Sequence, residues 1–147
     1  MADGRLPRES FIALLDELIP PRNPSLPGAG GLGLGEGIES KLGEATPLIT
    51  AGLAALDANA SDLGAPSFAQ TPSEKRSALV TEVAAAHPGF LETLVFHTYT
   101  AYYQHPRVLR AIGLEAAPPY PNGFELETGD LGLLEAVRRR GKLYRET

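Results

Sequence analysis

The sequence contains no cysteine among its 147 residues. That absence excludes disulfide bonds, thiol nucleophiles, iron–sulfur clusters ligated by this chain and covalently attached c-type haem. The sequence also lacks the run of eighteen or more apolar residues that a membrane span needs, and its N-terminus, MADGRLPRESF, lacks the apolar core of an export signal. As given, the chain is therefore expected to be a soluble cytoplasmic protein; a removed signal would make the periplasm the alternative.

Positive charge is scarce except near the C-terminus. The net charge is −5, but eight residues near the end carry five positive charges, which leaves −10 on the rest of the chain. These five are Arg138, Arg139, Arg140, Lys142 and Arg145. An acidic body argues against nucleic-acid binding, where a broad basic face neutralises the phosphates. The basic segment is interpreted either as a solvated end or, because Leu143 and Tyr144 are apolar, as a segment that docks on an acidic surface.

Segments with the two-residue alternation of a β-strand are also few, so we predict an all-α fold. Helices are expected over about residues 8–19, 38–42, 46–63, 72–86, 89–104, 107–112 and 131–140. Two Pro/Gly-rich segments, residues 20–37 and 116–125, are expected to be long loops because so many glycines and prolines oppose a regular element. The predicted architecture is an irregular helical bundle in a single domain, residues 1–147.

Several helix boundaries and faces follow from local signals. Thr46 and Thr71 each precede a proline, which predicts two N-caps, and Glu74 would complete a capping box with Thr71. The predicted inward residues are Phe11, Ile12, Leu15, Leu18 and Ile19 in the first helix, Ile49, Leu53, Leu56, Ala60 and Leu63 in the third, and Leu79, Val80 and Val83 in the fourth.

Residues 90–106, FLETLVFHTYTAYYQHP, hold half of the ten Phe and Tyr residues and two of the three histidines. At helical spacing this segment has no plainly polar face, so it is either the central helix of a bundle or a helix covered by a partner. Phe90, Leu94 and His97 are predicted to form its core row.

Three tyrosines within five residues are too many for one small core. Because a tyrosine hydroxyl needs a polar partner, we expect Tyr99 or Tyr103 to reach the surface or another chain.

The motifs that suggest chemistry are weak. Residues 28–33 satisfy G-x-G-x-x-G, but no strand precedes them, so a flexible loop is favoured over a phosphate-binding turn. His87, His97 and His105 lack the spacing of a metal site; we expect a buried, hydrogen-bonded His97 and helix-end roles for the other two. The carboxylates Asp16, Glu17, Asp57 and Asp62 are interpreted as solvated, and no nucleophile signature occurs. We therefore predict no catalytic residue, no metal and no cofactor in this chain.

The order of several segments nevertheless resembles a known family. DELIPP ends the first helix, PGAG lies in the loop, and GLAALD, TPSEKR, FLETLVFHTYTAYYQHP, PPYPNGFE and LLEAVRRRGKLYR follow in turn. In this order they resemble the gluconate 2-dehydrogenase subunit 3 family, the small non-catalytic subunits of flavin-dependent sugar and polyol dehydrogenases.

That resemblance implies a helical accessory subunit that binds, stabilises or helps mature a large flavin-dependent subunit of the glucose-methanol-choline type. FAD is then expected in the large subunit, and a cytochrome subunit is a further partner. Many relatives carry a twin-arginine signal, and this sequence does not. The alternative from the residues alone is a free-standing ligand-binding protein or enzyme with a pocket around His97, Tyr99 and Tyr102. The candidate partner contacts are Phe96, Tyr99, Tyr102, Tyr103, Tyr120, Phe124 and Tyr144.

Overall fold

The computed structural model describes residues 6–116 and 129–140. Contacts within the chain divide it into two units, Met1–Ala116 and Ala117–Thr147, and each is described by itself. The single domain over residues 1–147 stays a prediction.

The first unit is built from helices, and the described residues contain no β-sheet, which confirms the all-α prediction. Its α-helices are α1 (Arg8–Leu18), α2 (Gly35–Leu42), α3 (Thr46–Asp62), α4 (Ser73–Ala86), α5 (Phe90–Gln104) and α6 (Pro106–Ala111). Short 3-10 turns lie at Gly30–Leu32, Gly43–Ala45 and Phe68–Gln70. None of the described helices is both long and apolar enough to span a bilayer.

The ends of the helices are set mainly by proline and glycine, as expected. Gly64 and Gly89 adopt φ angles of +82° and +86° after α3 and before α5, a region that residues with a β-carbon rarely enter. His105 caps α6, because its Nδ1 accepts a hydrogen bond from the Arg107 amide at 3.2 Å. The helix-end role of His87 is also confirmed, since it follows α4 and its amide donates to the last turn.

The predicted threonine caps are wrong. Thr46 Oγ1 donates to the Gly43 carbonyl at 2.8 Å, and Thr71 Oγ1 donates to the Ser67 carbonyl at 3.0 Å. Both hydroxyls donate to a carbonyl earlier in the chain, and neither accepts a cap hydrogen bond from the helix that follows. The N-cap positions are Ala45 and Pro72, without a side-chain cap.

The core of the first unit draws apolar side chains from every helix from α1 to α6. The largest fully buried ones are Phe68, Phe90, Leu14, Leu15, Ile38, Ile49, Leu53, Leu56, Leu94, Val83 and Val108. The inward face of α4 is confirmed, whereas Leu63 is wrong as a core residue: it follows the end of α3 and is exposed. In α1 the buried positions are Ser10, Phe11, Leu14 and Leu15, while Ile12, Leu18 and Ile19 are half-buried.

Helices α3 and α5 approach each other closely at Gly52. A β-carbon built on Gly52 would lie 2.3 Å from two ring carbons of Phe90. The absent side chain thus provides the space that the Phe90 ring fills, and the fully buried ring fixes the start of α5 against α3.

Three carboxylates interpreted as solvated, Asp16, Glu17 and Asp57, make structural contacts, which corrects that prediction. Glu17 on α1 pairs with Arg76 on α4 at 3.5 Å. Asp57 Oδ1 on α3 accepts from the Ser10 hydroxyl at 2.6 Å and from the Phe68 amide at 2.9 Å. Asp16 Oδ1 on α1 accepts from the Gly30 amide at 2.8 Å. These carboxylates join segments that are separated in sequence, and their side chains are half-buried.

The Pro/Gly-rich connector, residues 20–37, is more regular than the extended loop expected. It makes a turn closed by a bridge between Asn23 and Leu26, and its last three residues begin α2. β-carbons on Gly28 and Gly30 would lie 2.1 Å and 2.7 Å from Asp16 carboxylate oxygens. Glycine is therefore required because this segment packs directly on α1; the Gly30 amide binds the chain's own carboxylate rather than a phosphate.

The second unit is described over residues 129–140. A 3-10 turn, Leu131–Leu134, leads into a short helix, α7 (Glu135–Arg138), so the helix expected over 131–140 is shorter than predicted. Asp130 caps the turn by accepting from the Gly132 amide at 2.9 Å. The predicted contacts Tyr120, Phe124 and Tyr144 lie outside the described residues.

Candidate partner-binding surface

Helix α5 has one buried row and one exposed row. The buried row is Phe90, Leu94, Thr98 and Tyr102, at a spacing of four residues along one face. The sequence placed His97 in this row, which is wrong: His97 is half-buried, and its ring meets Phe96 edge-on at 5.3 Å.

The exposed row consists of Phe96, Tyr99 and Tyr103, which we call the aromatic stripe. These side chains are 65%, 44% and 49% exposed, on the side of α5 opposite the buried row. The Tyr99 and Tyr103 ring centroids lie 6.0 Å apart. The prediction that Tyr99 or Tyr103 reaches the surface is confirmed, since both do.

Tyr102 points inward, unlike its neighbour. It is 4% exposed, and its hydroxyl donates to the Pro27 carbonyl oxygen at 2.9 Å. Burial raises the pKa of Tyr102 above its ordinary value of 10.0; the nearby Tyr103 raises it further, and Arg22 opposes the shift. Tyr102 is therefore not part of the aromatic stripe, although its ring lines the groove beside the stripe.

A groove of about 350 Å³ runs beside the aromatic stripe, and we call it the tyrosine groove. One wall comes from the end of α1 and the connector, and the other from α5 and the residue after α6. The lining residues are Leu18, Ile19, Pro20, Arg22 and Leu26 on the first side and Tyr99, Tyr102, Tyr103 and Ile112 on the second.

Two hydrogen bonds hold the walls of the groove together. The first joins Tyr102 to Pro27, and in the second Arg107 Nη2 donates to the Pro24 carbonyl at 2.7 Å. The connector is thus fixed to both α5 and α6, which gives the groove a defined shape without a partner.

The alternative of a ligand pocket around His97 finds no support in this groove. The groove touches Tyr99 and Tyr102 but not His97. Within residues 6–116 and 129–140, no group of three or more His, Cys, Asp or Glu side chains is arranged to hold a metal ion. Asp57 already accepts two hydrogen bonds from this chain, so it serves packing in this conformation.

Of the seven predicted contacts, the structure brings Phe96, Tyr99 and Tyr103 together and directs Tyr102 inward. Sequence reasoning missed Arg22 and Ile112, which lie 90 residues apart and meet only at the groove. Their only signal in the sequence is that each lies just beyond the end of a helix that packs beside the aromatic helix.

Comparison with known proteins gives the family. A model of the family described as gluconate 2-dehydrogenase subunit 3 matches residues 8–115, which include all of α1 to α6, the aromatic stripe and the groove. The chain belongs to the gluconate 2-dehydrogenase subunit 3 family. The PPYPNGFE and LLEAVRRRGKLYR segments lie beyond the matched residues.

Searches of curated proteins and of solved structures found no significant match to this chain. The family points to a dehydrogenase complex, in which its members are one subunit.

Proposed function

We propose that this member of the gluconate 2-dehydrogenase subunit 3 family is a non-catalytic accessory subunit. It binds a flavin-dependent sugar or polyol dehydrogenase of the glucose-methanol-choline type through the aromatic stripe and stabilises that enzyme or helps it mature. FAD belongs to the large subunit in this proposal, and a cytochrome is a further member of the complex.

The exposure of Phe96, Tyr99 and Tyr103 carries the proposal. Helix α5 is fixed by its buried row, so the three rings on its other side are held in place before binding. Aromatic side chains have few rotatable bonds and therefore lose little conformational entropy at an interface. Fully burying an exposed large apolar side chain is worth about 1.5–3 kcal/mol, and each of these rings can contribute the part of that gain that its exposed surface represents. A few aromatic side chains of this kind commonly dominate the binding energy of an interface.

Co-expression with a flavin-dependent dehydrogenase of the glucose-methanol-choline type from the same organism tests the proposal. We expect the two chains to co-elute in size-exclusion chromatography. We also expect this chain to raise the soluble yield of the dehydrogenase and the FAD bound per dehydrogenase. If the chains elute separately and neither quantity changes, the proposal is wrong.

A further inference from the structure

The tyrosine groove has features that select among modes of peptide recognition. Main-chain groups along its connector wall are already used: the Ile19 carbonyl accepts from the Ala29 amide at 3.0 Å, and the Arg22 amide donates to the Leu26 carbonyl at 3.1 Å. Pro20 has no amide hydrogen. A peptide that adds as a β-strand needs free main-chain donors and acceptors, so this wall does not suit one.

The opposite wall presents tyrosine rings at regular intervals. The Tyr99 and Tyr103 centroids are 6.0 Å apart, and Tyr103 meets Tyr102 edge-on at 5.2 Å. A polyproline II helix makes no internal hydrogen bonds and its backbone stays solvated, so it needs none of the main-chain groups that the connector wall already uses. Aromatic-lined grooves are the surfaces on which such segments dock.

The charge of the groove is positive. Arg22 is exposed and is the one charged residue among the described residues that line the groove. Its guanidinium makes no ion pair with a carboxylate within residues 6–116 and 129–140. An incoming carboxylate would pair with Arg22 at a small cost in desolvation, because at the edge of the groove it remains partly in water.

We propose that the tyrosine groove binds an extended, proline-containing segment of the partner dehydrogenase, with an acidic side chain placed opposite Arg22. This inference rests on the proposed function and specifies the part of the partner that docks beside the aromatic stripe. Prolines of the segment pack between the tyrosine rings, and its carboxylate sets the direction in which the segment lies.

Photo-crosslinking in the co-expressed complex tests this inference. p-Benzoylphenylalanine is introduced at position 112, in the groove, and at position 63 as a control, because Ile112 and Leu63 are similarly exposed at 44% and 52%. We expect the probe at 112 to give a cross-link to a dehydrogenase segment that contains proline and an acidic residue. A cross-link to a helical segment without proline, a cross-link to a second copy of this chain, or equal yields at both positions would overturn the inference.

Charge reversal at Arg22 supplies an independent measurement. We expect Arg22→Glu to raise the dissociation constant of the complex about tenfold or more, whereas Arg22→Lys keeps it within about twofold of wild type. An unchanged constant for Arg22→Glu contradicts the inference. If wild-type chains form no complex, the proposed function fails; if they do and both tests are negative, only the extended segment is refuted.

Discussion

The hydroxyl of Tyr102 donates a hydrogen bond to the carbonyl oxygen of Pro27, 2.9 Å away and 75 residues earlier in the sequence. This bond joins the buried row of α5 to the Pro/Gly-rich connector. Because Tyr102 lines the tyrosine groove, the bond holds the two walls of that groove together.

Removing that hydroxyl should weaken the fold. Tyr102→Phe leaves the Pro27 carbonyl without its donor, and we expect the free energy of unfolding to fall by about 1–2 kcal/mol. Urea denaturation followed by circular dichroism measures it. Tyr103→Phe is the matched control: its side chain is 49% exposed, and we expect a change within about 0.5 kcal/mol. Equal losses in the two variants would show that the bond does not stabilise the fold.

Tyr102 should also make stability depend on alkaline pH. Its pKa is raised in the folded protein, mainly by burial, so folding favours the neutral phenol. Its contribution is therefore complete below the unfolded value of 10.0 and is lost as pH rises through the folded pKa. We expect the stability difference between wild type and Tyr102→Phe to shrink above pH 10.0. A difference that stays constant in urea titrations across this range would contradict the assignment.

The contact between Gly52 and Phe90 predicts an unusual response to alanine. Gly52→Ala improves helix propensity, but its β-carbon would lie 2.3 Å from the Phe90 ring, and we expect a net loss of about 1–3 kcal/mol. Gly37→Ala is the control, because Gly37 lies in α2 with open space around it. Here we expect a gain of about 0.5–1 kcal/mol. Thermal unfolding measures the stability of the two variants. A Gly52→Ala variant that is more stable than wild type would refute the close approach of α3 and α5.

Alanine substitutions at two neighbouring glycines of the connector, Gly30 and Gly31, should also differ in their effect on stability. A β-carbon on Gly30 would lie 2.5 Å from the Ile12 carbonyl oxygen, whereas one on Gly31 meets nothing within 4 Å. We expect Gly30→Ala to lose the hydrogen bond to Asp16 and to cost about 1–3 kcal/mol, and Gly31→Ala to change stability by less than about 0.5 kcal/mol. Hydrogen exchange of the amide at position 30 measures this loss locally. If that amide is as well protected in Gly30→Ala as in wild type, the connector does not depend on the hydrogen bond to Asp16.

Features governed by local chemistry were predictable from the sequence. The inward residues of α4 follow the apolar period, and the end of α3 and the start of α5 follow from glycines that adopt positive φ angles. The exposure of Tyr99 and Tyr103 was predictable because three tyrosine rings within five residues are too many for one small core.

Other features depend on contacts that spacing does not reveal. His97 and Thr98 are adjacent on α5, and both are compatible with a row that includes Leu94; packing against the other helices buries Thr98. Asp57 meets Ser10 across 47 residues, and no local pattern indicates that pair. The tyrosine groove was missed for the same reason, since its walls come from opposite ends of the first unit.

One binding measurement tests the central claim most directly. The affinity of the purified flavin-dependent dehydrogenase is measured by calorimetry for three proteins: wild type, the triple variant Phe96→Ser, Tyr99→Ser, Tyr103→Ser, and the control Leu63→Ser, which removes an exposed apolar side chain outside the stripe. Circular dichroism checks that all three are folded. We expect the triple variant to bind at least about a hundredfold more weakly and the control within about twofold of wild type. A folded triple variant that binds as tightly as wild type would contradict the aromatic stripe as the partner-binding surface.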